Sequence, residues 1–512
     1  MQKGTILSES AAVSMNNSSD TAVWQNRFFW LTGLLIAFRL FLSLYLDLTP
    51  DESYYWELSR RLDWSYFDHP PLVAWLIALF RLLPGESPLE VRLISILGSA
   101  FVGWCLFAVG RDCLKNAAAG FVAALVVNFT PAGAALGFVT TPDTPLAIAW
   151  AAGMLAFCRA INDEKPVWWV LTGVALGLGA LGKYNMIMFV PGVAITILGF
   201  SRYRHLVVTR RYWFMVLLAA AGTLPIIYWN LNHDWISFKF QFDHGLSANT
   251  RSLGRNVGEY LGGQLGTVGL TLFPVIWWIV CQQAFQAYRR NDEVRFFLAW
   301  LALPSMLFFT WTGLKSKVEA NWPQVAYLSA FLLVAEWLSA GIAAGSWRRF
   351  KWVAGPSMLL AVIALIQSIT LLLPLPVRSD VTVRMHGWKQ MGEFVRRVDA
   401  ETGRKRLFVV QGTTLTTLVG YYGGIEPERL IELYVNGNFR VWWRGKTLPP
   451  GTDVVFVDAD HHPESAFFGG KFTKTASESL DIYSCGRKIR RINITRMDGL
   501  LQPHEFIPYK VF

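Results

Sequence analysis

Long apolar stretches joined by short polar connections fill the first 375 residues. A helix needs about 20 apolar residues to cross a bilayer. On that measure the pattern predicts eleven spans, near residues 28–46, 90–109, 116–138, 145–160, 167–182, 186–200, 213–229, 266–287, 295–313, 323–340 and 352–375. The stretches 167–182 and 186–200 are each short, so one broken unit is the alternative there. Residues 70–83 are apolar but too short to span, which predicts a helix along the outer interface. The first 27 residues are polar and rich in Ser and Asn. They lack the basic start, short apolar core and small-residue cleavage site of a secretory signal. A cytoplasmic tail over 1–27, followed by a retained first anchor, is therefore expected.

The pattern changes near residue 377. Residues 386–400 read as an amphipathic helix, while 406–411, 453–458 and 490–496 read as short strands. The expected fold class is an α-helical polytopic membrane protein with about eleven or more transmembrane helices and a small C-terminal α/β domain. The expected division is 28–376 for the membrane domain and 377–512 for the soluble one.

Composition supports this division. Hydrophobic residues make up 53% of the chain and charged residues only 16%, against about 25% charged in ordinary soluble domains. The chain has 23 Trp and 35 Phe, and Trp favours membrane interfaces. The net charge of +11 does not indicate nucleic-acid binding, because the basic residues fall in short clusters between apolar spans. Those clusters are Arg111 and Lys115; Arg159 and Lys165; the four arginines between 202 and 211; Arg289, Arg290 and Arg295; and Arg348, Arg349 and Lys351. They occupy alternate connections, which marks that side as cytoplasmic, and they suit anionic membrane lipids as partners. Eleven spans then put the soluble domain outside. Four of the five cysteines lie in or beside apolar spans, leaving Cys485 with no disulfide partner in the soluble part. No Cys/His spacing resembles a zinc site.

The opposite connections collect the unusual polar residues. Asp51-Glu52 follows the first span; such a pair either marks the water boundary or supplies a carboxylate to take a proton from a hydroxyl. Asp68-His69-Pro70-Pro71 is either a plain turn or a proline-stiffened presentation of a charged pair. Asp143 sits in TTPDTP, a sequence that also suits a tight turn. Lys183 in GKYN either snorkels or meets a phosphate. His233 lies in a mixed aromatic and polar stretch, and Lys315, Lys317, Glu319 and Asn321 form KSKVEAN. Two lysines on this side run against the usual charge bias, which favours an anionic ligand. Arg39 and Arg92 fall in or near apolar spans, where charge is costly and is paired or lines a cavity.

The ordered run DESYYWELSRRLDWSYFDHPPLVAWL, then TPDTP, GKYN, WNLNHDWISFKFQ and KVEANWP, resembles the bacterial membrane glycosyltransferases of the protein mannosyltransferase and aminoarabinose transferase superfamily. The resemblance covers roughly residues 28–340 and implies a GT-C-like fold. It implies a polyprenyl-phosphate sugar donor and transfer, usually inverting, outside the cytoplasmic membrane. The acceptor would be lipid A, another envelope glycan or a protein hydroxyl. Asp51 matches the family's essential first-loop acid, Glu52 its neighbour and Asp143 the second-loop acid. In aminoarabinose transferases a Glu-Lys-Pro-Pro segment contacts the donor phosphate; here it reads Asp68-His69-Pro70-Pro71. Those enzymes also carry an Arg where this chain has Tyr54 and Tyr55.

The resulting expectation assigns catalysis to Asp51, Glu52 and Asp143. His69, Lys183, Lys315 and Lys317 would hold the donor phosphate. Asp68, Tyr54, Tyr55, His233, Glu319 and Asn321 would contact substrate. No cofactor is called for, although an acidic pair also suits a divalent cation. A lipid-linked-sugar flippase is the rival, but it needs polar residues near the bilayer midplane, whereas these clusters gather at one surface. A non-catalytic scaffold leaves that one-sided pattern unexplained.

The charge asymmetry gives a direct test of orientation. A reporter active only outside the cytoplasm should be active when fused after residue 377 and silent when fused near Arg204. The reverse pattern would move the polar loops to the cytoplasmic face.

Overall fold

The computed structural model describes residues 2–83, 87–163, 165–246, 252–402, 406–433, 437–443, 446–459 and 470–505. Six of its helices are long and apolar enough to cross a membrane, or eight if each of two bent pairs counts as one span. Three shorter apolar helices, Ala117–Asn128, Pro166–Gly182 and Gly355–Thr370, fall at other expected spans. The chain is a multi-pass membrane protein. The first helix, α1 (Gln2–Tyr45), runs unbroken from the polar N-terminal stretch into the first span.

Several expected spans are interrupted or belong to bent pairs. The stretch 116–138 stops at Asn128 and restarts as Pro131–Leu136. Thr130 caps the new start and Pro131 supplies its preset first residue. The stretch around 186–200 belongs to a pair bent by 109°, and that around 266–287 to a pair bent by 95°. At the second bend Gly269 has φ +118°, and a Cβ there would meet Ser357 at 2.6 Å. Only glycine fits that corner.

The basic connections converge on one end of the bundle. Arg111 and Arg159 share Asp112, Tyr203 bonds to the Ile161 carbonyl, Arg202 reaches Glu293, and Arg295 pairs with Glu336. The soluble domain sits at the other end. Its main sheet and side pair use seven strands: β1 (Leu407–Val410), β2 (Leu430–Glu432), β3 (Thr447–Leu448), β4 (Val454–Ala459), β5 (Phe472–Ser484), β6 (Arg487–Leu500) and β7 (His504–Glu505). The five-stranded order is β2-β1-β4-β6-β5, and β3 pairs with β7. β1 runs parallel to β2 and β4, while β6 is antiparallel to β4 and β5. The expected strand at 490–496 is the middle of β6. Cys485 and Gly486, at φ 50° and 74°, make the two-residue turn joining β5 to β6. The helix Trp388–Glu401 realises the expected amphipathic segment.

The connection after α1 is not a loose loop. It holds α2 (Pro50–Ser59) and α3 (Leu72–Phe80) before the second long helix, α4 (Pro88–Ala108). α3 is the short apolar helix expected at the interface, but Val73, Ala74 and Ile77 turn inward and are fully buried. Leu48, Tyr55, Trp56 and Leu58 share one core with Val395, Leu418 and Val419 of the soluble domain. Polar contacts reinforce this layer: Leu48 N donates to the Tyr422 hydroxyl at 2.6 Å, and Asp47 caps the helix at Trp388 at 2.8 Å. Ser53 and Thr417 hydroxyls meet at 2.9 Å, and Arg60 reaches the Ile425 carbonyl. Burying a Val or Leu side chain stabilises by about 1.5–3 kcal/mol, so this interface is a second folding core rather than a surface contact.

The turn from α1 into α2 is set by charge. Arg92 on α4 and Glu52 on α2 are both fully buried. The guanidinium donates to both Glu52 oxygens at 2.9 Å and to the carbonyls of Leu46 and Asp47 at 2.9 and 2.6 Å. Glu52 also accepts from Thr49 N at 2.8 Å, completing a capping box. Arg39, the other intramembrane arginine, instead bonds Ser99 and Asn128 at 2.7 and 2.9 Å.

Removing one partner of a buried ion pair costs about 3–5 kcal/mol, because the other charge is stranded. Arg92→Met should lower the unfolding midpoint of the detergent-solubilised protein by a large margin. Arg92→Met with Glu52→Gln should recover part of the loss. A single variant as stable as the parent would show that the pair does not hold the turn.

Candidate active site

The α2 helix carries the acidic pair in its first turn, where helix N-termini favour negative charge. Its two members have different environments. Glu52 is committed inside the protein, so it holds the turn and is not presented to a substrate. Asp51 points outward and is half exposed, and Arg384 Nη2 lies 3.4 Å from it. Geometry therefore separates the two acids: Asp51 is half exposed, and Glu52 is buried on Arg92.

Asp68 is held from three sides. Tyr54 donates to one carboxylate oxygen at 2.8 Å, Asn438 of the soluble domain donates to the other at 3.0 Å, and Gln241 donates to its carbonyl at 2.7 Å. Asn438 also donates to the Tyr54 oxygen at 2.6 Å and accepts from Phe67 N at 2.8 Å. Tyr54 and Asp68 thus form a clamp that fixes the 63–71 turn. Burial pushes the Tyr54 hydroxyl pKa well above its ordinary range, and Asp68 adds to the shift.

Tyr55 joins the acids. Its ring meets that of His69 at 5.6 Å, edge to face. Burial raises its hydroxyl pKa well above the ordinary value, and the carboxylates of Asp68, Asp51 and Asp143 raise it further.

Asp143 stands in the first turn of Asp143–Asp163. Lys183 Nζ lies 2.7 Å from one of its oxygens, and Asn321 Nδ2 lies 2.7 Å from the other. Lys183 ends the helix Pro166–Gly182. A Cβ on Gly182 would meet Leu146 N at 3.0 Å, so glycine lets that helix end approach the Asp143 helix closely. Asn185 reaches the Trp322 carbonyl at 3.1 Å. The TPDTP, GKYN and EANW segments therefore meet in space, as one site requires.

The remaining candidates lie in local contacts. Lys315 Nζ sits 3.8 Å over the ring of Trp311 on its own helix, and Lys317 closes on Glu319 at 2.6 Å. His233 stacks on Trp229 at 3.9 Å, and Trp229 bonds Asp63 at 2.8 Å. Among the described residues, no hydrogen bond or ion pair carries Lys315, Lys317, Glu319 or His233 to Asp51 or Asp143. Of the expected phosphate lysines, Lys183 is the one within the acidic cluster. Among the described residues, no group of three His, Cys, Asp or Glu side chains is arranged to hold a metal ion.

Sequence reasoning missed Asn438 and Arg384, because nothing local marks a soluble-domain residue as part of a membrane-surface site. It flagged Arg92 as a charge needing a partner but did not name Glu52.

Residues 68–229 match the family described as dolichyl-phosphate-mannose-protein mannosyltransferase. The chain is 29% identical over 297 residues to the lipid A galacturonosyltransferase RgtD of Rhizobium johnstonii, covering 57% of this chain and 60% of that protein. It is 24% identical over 239 residues to an undecaprenyl phosphate-alpha-4-amino-4-deoxy-L-arabinose arabinosyl transferase of Proteus mirabilis, covering 43% and 44%. The matched part thus spans less than two thirds of either relative. The fold aligns with the crystal structure of ArnT from Cupriavidus metallidurans bound to undecaprenyl phosphate, with TM-score 0.59 and 16% identity over 92% of this chain and 98% of that one. It also aligns with an oligosaccharyltransferase from Archaeoglobus fulgidus, with TM-score 0.51 and 12% identity over 78% and 64%. The chain is thus similar in part of its sequence to membrane glycosyltransferases of the protein mannosyltransferase and aminoarabinose transferase superfamily, and it shares the fold of ArnT.

Proposed function

We propose that this protein transfers a sugar from a polyprenyl-phosphate carrier, of the undecaprenyl-phosphate kind, to a hydroxyl at the outer face of a bacterial inner membrane. The observation that carries the reading is the division among four carboxylates at one end of the bundle. Glu52, Asp68 and Asp143 are each tied by short contacts, while Asp51 is half exposed and its ion pair is long. Similarity to a lipid A galacturonosyltransferase supports an envelope glycolipid acceptor. The collection of basic loops at the opposite end supports an extracytoplasmic site. A flippase is disfavoured because the cluster lies against the soluble domain rather than at the bilayer midplane.

In this reading the acceptor hydroxyl attacks the anomeric carbon as the sugar–phosphate bond breaks, with inversion. Asp51 takes the hydroxyl proton, and the polyprenyl phosphate leaves with the bonding electrons. Lys183 and His69 stabilise the charge gathering on that phosphate, and Asp143 with Asn321 orients Lys183. Tyr55, beside His69, contacts the sugar or the attacking hydroxyl. Lys315 and Lys317 would assist only by leaving Trp311 and Glu319. A divalent cation, if one takes part, would draw on Asp51 and substrate oxygens.

Two outcomes test the roles. Asp51→Asn keeps size and shape but removes the base; it should fold, bind undecaprenyl phosphate and lose at least about 10²-fold in single-turnover transfer. Near-normal transfer would remove the base assignment, and lost donor binding alone would make Asp51 a binding residue. Lys183→Ala should weaken undecaprenyl phosphate binding by about 1.5–3 kcal/mol, as expected for a charged hydrogen bond. Unchanged affinity in a folded variant would reject its phosphate role.

A further inference from the structure

The structural arginines at this end of the molecule share a pattern. Arg92 is fully buried on Glu52, and Arg60 holds Glu57 and the Ile425 carbonyl at 2.6–2.9 Å. Arg384 differs. Its Nη2 lies 3.4 Å from Asp51 Oδ2, beyond the usual N–H···O range. Its side chain is 49% exposed and that of Asp51 is 53% exposed. An exposed pair of this length contributes little stability. The backbone that carries it is nevertheless fixed. The Arg384 carbonyl accepts from Trp388 Nε1 at 2.7 Å, the Met385 carbonyl from Asp47 N at 3.1 Å, and the Val383 carbonyl from Arg490 at 3.0 Å. A rigid mount in the soluble domain thus presents a half-exposed guanidinium directly at the candidate base.

We infer that Arg384 is an anion-binding residue of the substrate site. Its guanidinium, held loosely beside Asp51, turns to a carboxylate or phosphate group on the incoming substrate. The inference rests on the glycosyl-transfer reading and adds a substrate class to it: the transferred sugar or the acceptor carries an anionic group close to the reacting hydroxyl. Guanidinium chemistry supports the exchange. Its planar fork can engage two oxygens of a carboxylate or phosphate at once, whereas the pair with Asp51 uses one nitrogen at long range. Lys183 provides a separate cation for the leaving phosphate, so Arg384 is not needed there. The soluble domain thereby becomes part of substrate selection.

The test begins with mass spectrometry of envelope lipids and glycans from cells carrying the wild-type chain, R384Q or R384K, and from cells lacking the gene. The product made by the wild-type chain and absent from cells lacking the gene should bear a carboxylate or phosphate on the added sugar or beside the acceptor position. Purified enzymes then receive that substrate pair, a pair with the sugar carboxylate reduced to an alcohol, and a pair with the acceptor phosphate removed. On the anionic pair R384Q should lose about ten- to hundredfold in kcat/KM, the size of one charged hydrogen bond, and R384K should recover part of it. When the relevant anion is removed, wild type should fall to the level of R384Q, which identifies the source of the charge. Retained undecaprenyl phosphate binding by R384Q verifies its fold. A product with no anionic group, or the same gap between wild type and R384Q on every pair, overturns the anion site. Absence of any added sugar in wild-type cells instead removes the glycosyl-transfer reading, and this inference with it.

Discussion

The buried contact between Arg92 and Glu52 is the constraint on which the site depends. A carboxylate and a guanidinium removed from water are tolerable only when their remaining hydrogen-bonding capacity is filled. Here the filling groups are the carbonyls at the exit of α1 and the backbone amide at the start of α2. The pair therefore does more than neutralise itself. It fixes where the first span stops, how sharply the chain turns and which way the first turn of α2 faces. Asp51, one residue before Glu52, inherits its outward direction from that arrangement.

Around this anchor the protein uses chemically similar residues for different tasks. Asp68 is surrounded by donors and stiffens a turn. Asp143 is neutralised by Lys183 and braced by Asn321, bringing three sequence segments together. Asp51 stays open to water. The difference lies in the number and distance of partners, not in residue type. Burial, with the nearby carboxylates adding to it, holds the Tyr55 hydroxyl pKa well above its ordinary range.

Much of the architecture could be read from periodicity, because apolar length is a strong signal for a membrane helix. The breaks at Asn128 and Gly269 were hidden, since apolar composition continues through both. Local motifs disclosed Asp51, Asp143 and Lys183 because each follows or precedes a long span at the same face. The resemblance marks Asp51 as the essential acid and Glu52 as its neighbour; adjacency conceals that one faces water and the other faces Arg92. Lys315 and Lys317 looked equivalent to Lys183 because charge bias gives the side of the membrane but not the side-chain direction. The contributions of Asn438 and Arg384 depend on tertiary docking across more than 300 residues, for which no local pattern exists.

The layer containing α2 and α3 has apolar partners both below and above it. Its outward-facing side chains are therefore shaped by two surfaces that must change together. Exchanging the soluble domain for that of a distant relative would set Ser53, Trp56 and Arg60 against unmatched neighbours, even if every membrane helix were kept. The natural unit of exchange is thus the first external connection with its covering domain. Divergence in substrate preference is expected to appear as paired substitutions across that seam, linking residues far apart in the chain.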